Sequence, residues 1–237
     1  MTKLSVNVNK IATLRNARGG NNPDLIEAVR RIEEFGAQGI TIHPRPDERH
    51  IRHSDVYALK QVVGTELNIE GYPSPEFLEM VCEVGPTQAT LVPDKPDQLT
   101  SNHGWDTVSS CDFLRECVAR LHSSKIRVSL FVDANSRMVE GAACTGADRV
   151  ELYTGPYAEA FADSPAQAIA PYVAAAEAAD RCGLGLNAGH DLSLANLRYF
   201  HEHIANLDEV SIGHALICDA LYMGLEATVK AYLEQLL

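Results

Sequence analysis

The sequence lacks the short motifs by which several common classes of enzyme are recognised. No G-x-G-x-x-G follows a predicted strand, and neither a G-x-S-x-G turn nor a phosphate-binding loop with its lysine occurs. No run approaches about 18 apolar residues, so no membrane span is predicted. The N-terminal MTKLSVNVNK also lacks the apolar core of a signal peptide, so we expect a cytoplasmic protein.

Excess positive charge and paired cysteines are missing as well. The formal net charge of −12 disfavours nucleic-acid binding but does not oppose a small anionic substrate held by local basic residues. The six cysteines are scattered without a C-x-x-C pair, which is typical of reduced, mostly buried thiols. His50 and His53 form an H-x-x-H pair, but nothing completes a zinc pattern, so no metal site is predicted.

The sequence does contain a regular alternation of short β-prone runs with helical segments. Strands are predicted at residues 4–8, 39–42, 66–69, 89–92, 127–132, 150–153, 185–187 and 209–212. Helices are predicted at about residues 22–35, 53–63, 75–84, 111–122, 136–144, 164–182, 194–203 and 218–236. Eight such units favour a closed (β/α)₈ barrel over an open doubly wound sheet, as one domain spanning residues 1–237.

Polar and ionisable residues gather where the predicted strands end. In residues 39–50, GITIHPRPDERH, a buried apolar strand stops at His43 and is followed by two prolines and a cluster of charges. Active sites of such barrels lie at the carboxyl ends of the strands. The other strand-end residues are Asn7, Glu70, Asp133, Glu151, His190 and His214, and Arg18, Arg45, His50 and Thr100 lie on the loops that follow.

These residue types suit acid–base chemistry on phosphorylated molecules. Histidines beside a carboxylate exchange protons near neutral pH, and Arg18 and Arg45 can hold phosphate oxygens in a forked geometry. Glycine–histidine pairs follow the seventh and eighth strands, where barrels often bind phosphate through backbone N–H groups. Glu70 by itself is equally well explained as the structural partner of an arginine.

Seven segments in a fixed order give a more specific indication. They are IATLRNARG (11–19), GITIHPRPDERHI (39–51), LNIE (67–70), LVPDKPDQLT (91–100), VSLFVDA (128–134), LNAGH (186–190) and IGHALI (212–217). Together they resemble the pyridoxine 5′-phosphate synthase family of the deoxyxylulose-dependent vitamin B6 pathway, over essentially the whole chain. The resemblance implies a (β/α)₈ barrel with extra short helices, assembled as a homo-octamer and working without a metal or redox cofactor.

The resemblance also implies a reaction and a set of roles. The family condenses 1-deoxy-D-xylulose 5-phosphate with 3-amino-2-oxopropyl phosphate, giving pyridoxine 5′-phosphate, phosphate and water by general acid–base ring closure. By resemblance, His43 and Glu70 act as general bases and His190 acts as a general acid. The residues implied for the aminoketone phosphate are Asn7, Arg18, Gly213 and His214, with Asp191 contributing its backbone N–H. Those implied for the sugar phosphate are Arg45, His50 and Thr100.

Three positions depart from the family's usual pattern. Asn9 and Lys10 stand where the family commonly has aspartate and histidine, and Asp191 stands where it usually has glycine. A carboxylate near a phosphate is unfavourable unless it points away. The departures leave two alternatives: a lyase or isomerase acting on another small phosphorylated ketone, and a protein that binds a B6 phosphate without turnover. The three proton-transfer residues argue against the second, since binding alone does not need them.

Overall fold

Eight parallel strands close into a barrel in the computed structural model, which describes residues 1–94, 98 and 101–237. The strands are β1 Lys3–Asn7, β2 Gly39–Ile42, β3 Glu66–Gly71, β4 Gln88–Leu91, β5 Arg127–Val132, β6 Arg149–Tyr153, β7 Gly185–Gly189 and β8 Leu207–Ile212. Each strand pairs with the next in sequence, and β8 pairs with β1 so that Leu4 lies beside Val210. The predicted closed (β/α)₈ barrel is therefore confirmed.

Eleven helices occur in the described part of the chain. They are α1 Asn9–Asn16, α2 Leu25–Glu34, α3 His53–Lys60, α4 Pro75–Val84, α5 Cys111–Ser123, α6 Ser136–Ala143, α7 Gly155–Phe161, α8 Pro165–Cys182, α9 Leu197–His203, α10 His214–Met223 and α11 Leu225–Glu234. Since eight crossover helices suffice for the barrel, the extra short helices that the family resemblance implied are present.

The helices that differ from the sequence-based expectation are α1, α7 and the last two. The short polar helix α1 was not predicted, and it begins where the side chain of Asn7 accepts the N–H of Asn9 at 3.0 Å. A proline near its first turn made α7 look like the turn that ends a strand. The single helix predicted at residues 218–236 is divided at Gly224, whose φ of +82° favours glycine and ends α10.

An apolar layer lies between the barrel and the helices. Leu4, Val6, Ile40 and Ile42 are fully buried on the outer face of neighbouring strands. Helices cover this face with apolar stripes, such as the buried Leu25, Val29 and Ile32 of α2, which recur at helical spacing. Burial of this layer supplies the main stabilisation of the fold.

The residues that alternate with this layer point into the barrel, and most of them are polar. Ser5 and Thr41 share a hydrogen bond of 2.7 Å, and Thr90 donates to Asn68 at 3.0 Å. Valine, isoleucine and leucine dominate this position in most barrels of this type. The interior here is thus a column of hydroxyl and amide groups that leads to the carboxyl ends of the strands.

The amino end of this column carries buried charge. Glu209 is only 3% exposed, and its Oε2 lies 3.9 Å from Arg127 and 3.8 Å from Arg149. Burial outweighs the attraction of the two arginines and raises the pKa of Glu209 to about 7. The folded protein therefore holds a proton there that the unfolded chain releases at lower pH.

We expect Glu209→Gln to remove a pH-dependent loss of stability. A raised carboxyl pKa makes the free energy of unfolding fall as pH rises from the unfolded pKa of 4.5 to the folded pKa of about 7. The full loss corresponds to roughly 3 kcal/mol. Thermal unfolding at about pH 5 and about pH 8 measures it: the variant should exceed the wild type only at the higher pH. An equal margin at both pH values would contradict this account.

Candidate active site

A cavity of about 530 Å³ opens at the carboxyl ends of the strands. The residues predicted from the sequence that line it are Asn7, His43, Arg45, His50, Glu70, His190, Asp191, Gly213 and His214. They come from strands that are distant in sequence but end at the same side of the barrel, so their positions at strand ends predicted them.

None of the helices in the described ranges is both long and apolar enough to cross a membrane.

Two predicted site residues are not placed in this cavity. Arg18 is exposed in the turn after α1, and it is not among the described residues that line the cavity. The expectation that Arg18 holds a phosphate stays a prediction. Thr100 lies outside the described residues, although its neighbour Ser101 lines the cavity.

His43 and Glu70 form the centre of the site. The β2–β3 register places Ile42 beside Ile69, so the next residue in each segment, His43 and Glu70, are neighbours as well. Glu70 Oε2 lies 3.8 Å from His43 Nδ1, and the Asn7 side chain donates to the same oxygen at 3.4 Å. The separation of 3.8 Å is suited to proton exchange after a small adjustment, as is common in unliganded sites.

Burial keeps both members of this pair uncharged at neutral pH. It raises the pKa of Glu70 to about 8, with the charge of Asp94 adding to the effect and Arg45 opposing it. Burial also holds the pKa of His43 well below its usual value, assisted by the positive charge of Arg45 and by His50. Despite their proximity, the two side chains are therefore a carboxylic acid and a neutral imidazole, and His43 is the group ready to accept a proton.

Arg45 forms a buried cationic wall of the cavity. Its guanidinium pairs with the buried carboxylate of Asp94, which also accepts a hydrogen bond of 2.7 Å from Ser101. A buried arginine held by a carboxylate keeps a fixed direction, and its charge acts at short range in a medium of low dielectric constant. An anionic group entering the cavity would be attracted to this wall.

His50 is fixed in one tautomer beside this wall. Its Nδ1 accepts the backbone N–H of Ile51 at 2.9 Å, so the ring proton of the neutral form is on Nε2. Its carbonyl is held by Asn16 at 2.8 Å and by the buried Arg15 at 3.2 Å. Burial, Arg45 and Lys10 lower the pKa of His50 to about 4, so it is a neutral hydrogen-bond donor.

The departures at Asn9 and Lys10 have different consequences. The Asn9 side chain accepts the backbone N–H of His43 at 3.0 Å, so it fixes the start of the loop that carries His43. An asparagine oxygen serves this purpose as well as a carboxylate oxygen does. Lys10 is exposed on the first turn of α1 and lines the cavity, where it adds a positive charge.

The end of β7 presents His190 in an unusual backbone conformation. Its φ is +91°, and its Nδ1 lies 2.6 Å from the carboxylate of Asp191. The backbone N–H of Asp191 donates to Thr154 Oγ1 at 3.1 Å. The N–H that the family resemblance assigned to substrate binding is thus occupied by a protein contact.

The end of β8 leads into the N-terminus of α10. Gly213 immediately precedes the helix, and a Cβ on it would lie 2.9 Å from Asn7 Cβ and 3.1 Å from Asn7 O. Only glycine therefore allows β1 and β8 to approach this closely. The N-terminal N–H groups of a helix favour an anion, so this side of the cavity suits a phosphate group.

Glu151 was noted as a strand-end residue but was given no role from the sequence. It lies buried at the cavity wall, where Thr90 donates to it at 3.4 Å. Burial, followed by the charge of Glu70, raises the pKa of Glu151 well above its usual value. Two such carboxyl groups resist simultaneous ionisation. The only sign of this role in the sequence was the position of Glu151 on β6, where its side chain points into the barrel.

The described residues contain no group of histidine, cysteine and acidic side chains arranged to hold a metal ion.

Known proteins resemble this chain over nearly its whole length. The family model described as pyridoxal phosphate biosynthesis protein PdxJ matches residues 4–237. A pyridoxine 5′-phosphate synthase from Bacteroides fragilis is 62% identical over 232 residues, covering 98% of each chain. Another from Cytophaga hutchinsonii is 60% identical over 236 residues, covering 100% of this chain and 99% of that one.

A solved structure supports the architecture independently. The mutant tryptophan synthase α-subunit from Pyrococcus furiosus gives a TM-score of 0.65 at 14% identity, covering 99% of this chain and 100% of that chain. At this identity the likeness concerns the fold alone. The family model and the curated relatives, in contrast, match nearly the whole sequence, and the chain therefore belongs to the pyridoxal phosphate biosynthesis protein PdxJ family.

Proposed function

We propose that the protein is a pyridoxine 5′-phosphate synthase. It condenses 1-deoxy-D-xylulose 5-phosphate with 3-amino-2-oxopropyl phosphate, and the cavity at the carboxyl end of the barrel is its active site. The observation that carries the proposal is the His43–Glu70 pair, held 3.8 Å apart inside a cavity with a cationic wall and a helix N-terminus. The reaction needs repeated proton transfers between two phosphorylated molecules, and this arrangement supplies them.

The two phosphates are assigned to opposite sides of the cavity. The N-terminus of α10, with Gly213 and His214, suits the phosphate of the aminoketone, whose reacting atoms would then approach Asn7 and Glu70. Arg45, His50 and Lys10 suit the sugar phosphate, because they place two cations and a neutral N–H donor on one wall.

The proton transfers follow from the charge states of the site. His43 begins as a neutral base and accepts a proton from the nucleophile or from the carbon that is to be deprotonated. Glu70 begins as an acid, and a substrate ammonium group beside it would favour its ionised form, in which it serves as the second base. His190 donates a proton to the oxygen that leaves.

The alternatives raised by the three departures are less well supported. Asn9 accepts the backbone N–H of His43, and the proton-transfer residues line one cavity. No contact among the described site residues therefore favours a different reaction or binding without turnover. Incubating the purified protein with both substrates decides the matter. Pyridoxine 5′-phosphate and inorganic phosphate should appear in equal amounts, whereas their absence with a folded protein would exclude the proposed reaction.

We propose further that residues 1–237 act as one catalytic domain, in the cytoplasm, within a homo-octamer. Support for self-association comes from the C-terminal end of α10, where Leu221, Tyr222 and Met223 are exposed, Tyr222 to 92%. Consecutive large apolar side chains in water favour a contact with another protein surface. The placement of Arg18 outside the cavity of its own chain is compatible with a site completed in the assembly.

Replacing Glu70 by Gln should abolish turnover and leave the fold intact. The change keeps size and hydrogen-bonding capacity but prevents proton exchange, so we expect kcat to fall by about 10²- to 10⁴-fold. Steady-state assays test this, with Glu79→Gln on the exposed face of α4 as the matched control. A folded Glu70→Gln enzyme with the wild-type rate would remove Glu70 from the mechanism.

Lys10→Ala should weaken binding of the sugar phosphate. Loss of one charge-assisted contact corresponds to about a tenfold to hundredfold higher KM, with a smaller effect on the aminoketone phosphate. Lys60→Ala, which removes an exposed lysine from α3, serves as the control. If both KM values stay within about twofold of wild type, Lys10 does not contact substrate.

Tyr222→Asp should reduce the size of the assembly. A carboxylate at the most exposed point of the apolar segment would have to be desolvated in any interface there. Light scattering measures the mass in solution, and Asp180→Ala on the exposed face of α8 is the control. A variant that remains a full octamer would show that α10 is not an interface.

A further inference from the structure

We propose that Asp191 is a positioning residue whose carboxylate holds Nδ1 of His190, so that His190 transfers protons through Nε2. The inference rests on the proposed function, in which His190 is the general acid. It assigns a role to the side chain at a position where the family usually has glycine. A glycine cannot make this contact, so the His190–Asp191 pair is a property of this chain's own sequence.

The contact itself is short and well placed. His190 Nδ1 and Asp191 Oδ2 are 2.6 Å apart, and both residues line the cavity. A carboxylate only accepts hydrogen bonds, so Nδ1 must carry the proton in this pair. The imidazole is further confined by Tyr153, whose ring meets it edge-on with centroids 5.5 Å apart.

Hydrogen bonds to the backbone of Gly189 and Asp191 fix the segment that carries the His190–Asp191 contact. His190 has a φ of +91°, a conformation that a residue with a side chain adopts only when its surroundings enforce it. Thr154, which is buried, accepts the N–H of Asp191 at 3.1 Å and donates to the carbonyl of Gly189 at 2.6 Å. Asn196 donates to the carbonyl of Asp191 at 3.4 Å. The residues on both sides of His190 are therefore tied to neighbouring elements.

The geometry gives His190 the same orientation before and after proton transfer. In the imidazolium form both nitrogens carry hydrogen, with Nδ1–H donated to Asp191. The Nε2–H bond then breaks, the proton forms an O–H bond on the departing oxygen, and the electron pair stays on Nε2. The neutral ring that remains still has its proton on Nδ1, so its bond to Asp191 persists. The ring does not need to turn during the step.

The same contact explains how a carboxylate is tolerated beside a phosphate site. A free carboxylate would repel an anionic substrate. Asp191 instead directs its carboxylate to His190, whose Nδ1 lies 2.6 Å from Asp191 Oδ2. We therefore assign Asp191 to the general acid and not to the substrate.

The tautomer of His190 tests the proposal without any substrate. In ¹⁵N-histidine-labelled protein at a pH where imidazole is neutral, NMR should show the His190 proton on Nδ1. The signals are assigned by their loss in His190→Gln. In Asp191→Ala the Nδ1–H form should lose its predominance, and Asp191→Glu should restore it at least in part. An unchanged tautomer in Asp191→Ala would overturn the proposal.

Steady-state kinetics provide a second test, because a purely structural role of Asp191 would not lower kcat selectively. An interaction that acts only in the transition state lowers kcat and leaves KM unchanged. We expect Asp191→Ala to lower kcat by about tenfold to hundredfold, with both KM values within about twofold of wild type. Asp191→Asn, which keeps the size of the side chain, serves if the alanine variant does not fold. A raised KM for the aminoketone phosphate at unchanged kcat would overturn the assignment, because Asp191 would then act on the substrate.

These outcomes separate the inference from the proposed function. If the wild-type protein makes no pyridoxine 5′-phosphate while the His190 tautomer follows Asp191, the proposed reaction is wrong and the contact is real. If product forms but the tautomer is independent of Asp191, the reaction stands and the positioning role is wrong.

Discussion

The burial of Glu70 beside His43 is the constraint on which the site depends. Withdrawn from water, neither group carries charge at neutral pH, because the charged form of each is penalised by the low dielectric of its surroundings. The carboxylic acid and the neutral imidazole, 3.8 Å apart, therefore offer a substrate in the cavity one proton donor and one proton acceptor. In water the same residues would be a carboxylate, which has no proton to donate, and an imidazole that is only partly protonated near neutral pH.

The surrounding contacts maintain this pair. Asn7 at the end of β1 donates to Glu70, and Asn9 at the start of α1 accepts the backbone N–H of His43, so this one segment holds both members. Arg45 adds a positive charge that depresses the pKa of His43 and partly opposes the rise at Glu70. Burial raises the pKa values of Glu70, Glu151 and Glu209, which costs folding free energy wherever these groups would be ionised in the unfolded chain. The apolar layer outside the barrel offsets this cost.

The sequence was sufficient for the architecture because the signals at the ends of the elements were strong. The predicted bounds of α4 were confirmed: Ser74 accepts the N–H of Phe77 at its start, and Gly85 with a φ of +58° ends it. The bounds of β5 were confirmed as well, since it is an uninterrupted β-prone run. In contrast, α1 carries no clear apolar stripe, so only its contact with Asn7 in three dimensions reveals its start.

The site was predictable to the extent that it follows strand ends. His43, Glu70 and His190 were found in this way, since the carboxyl ends of parallel strands share one edge of the barrel. Glu151 was not given a role because its burial next to Glu70 depends on the closure of the barrel. The partner of Asp191 could not be predicted either, because it depends on the positive φ of His190.

The protonation state of Glu70 tests this account most directly. In protein labelled with ¹³C at the glutamate carboxyl carbons, NMR titration follows each buried carboxyl group, and comparison with Glu70→Gln identifies the signal of Glu70. The account predicts that Glu70 is protonated at neutral pH and titrates with a pKa of about 8. A carboxylate already ionised at neutral pH, with a pKa near its usual value, would contradict the neutral acid–imidazole pair as the basis of the site.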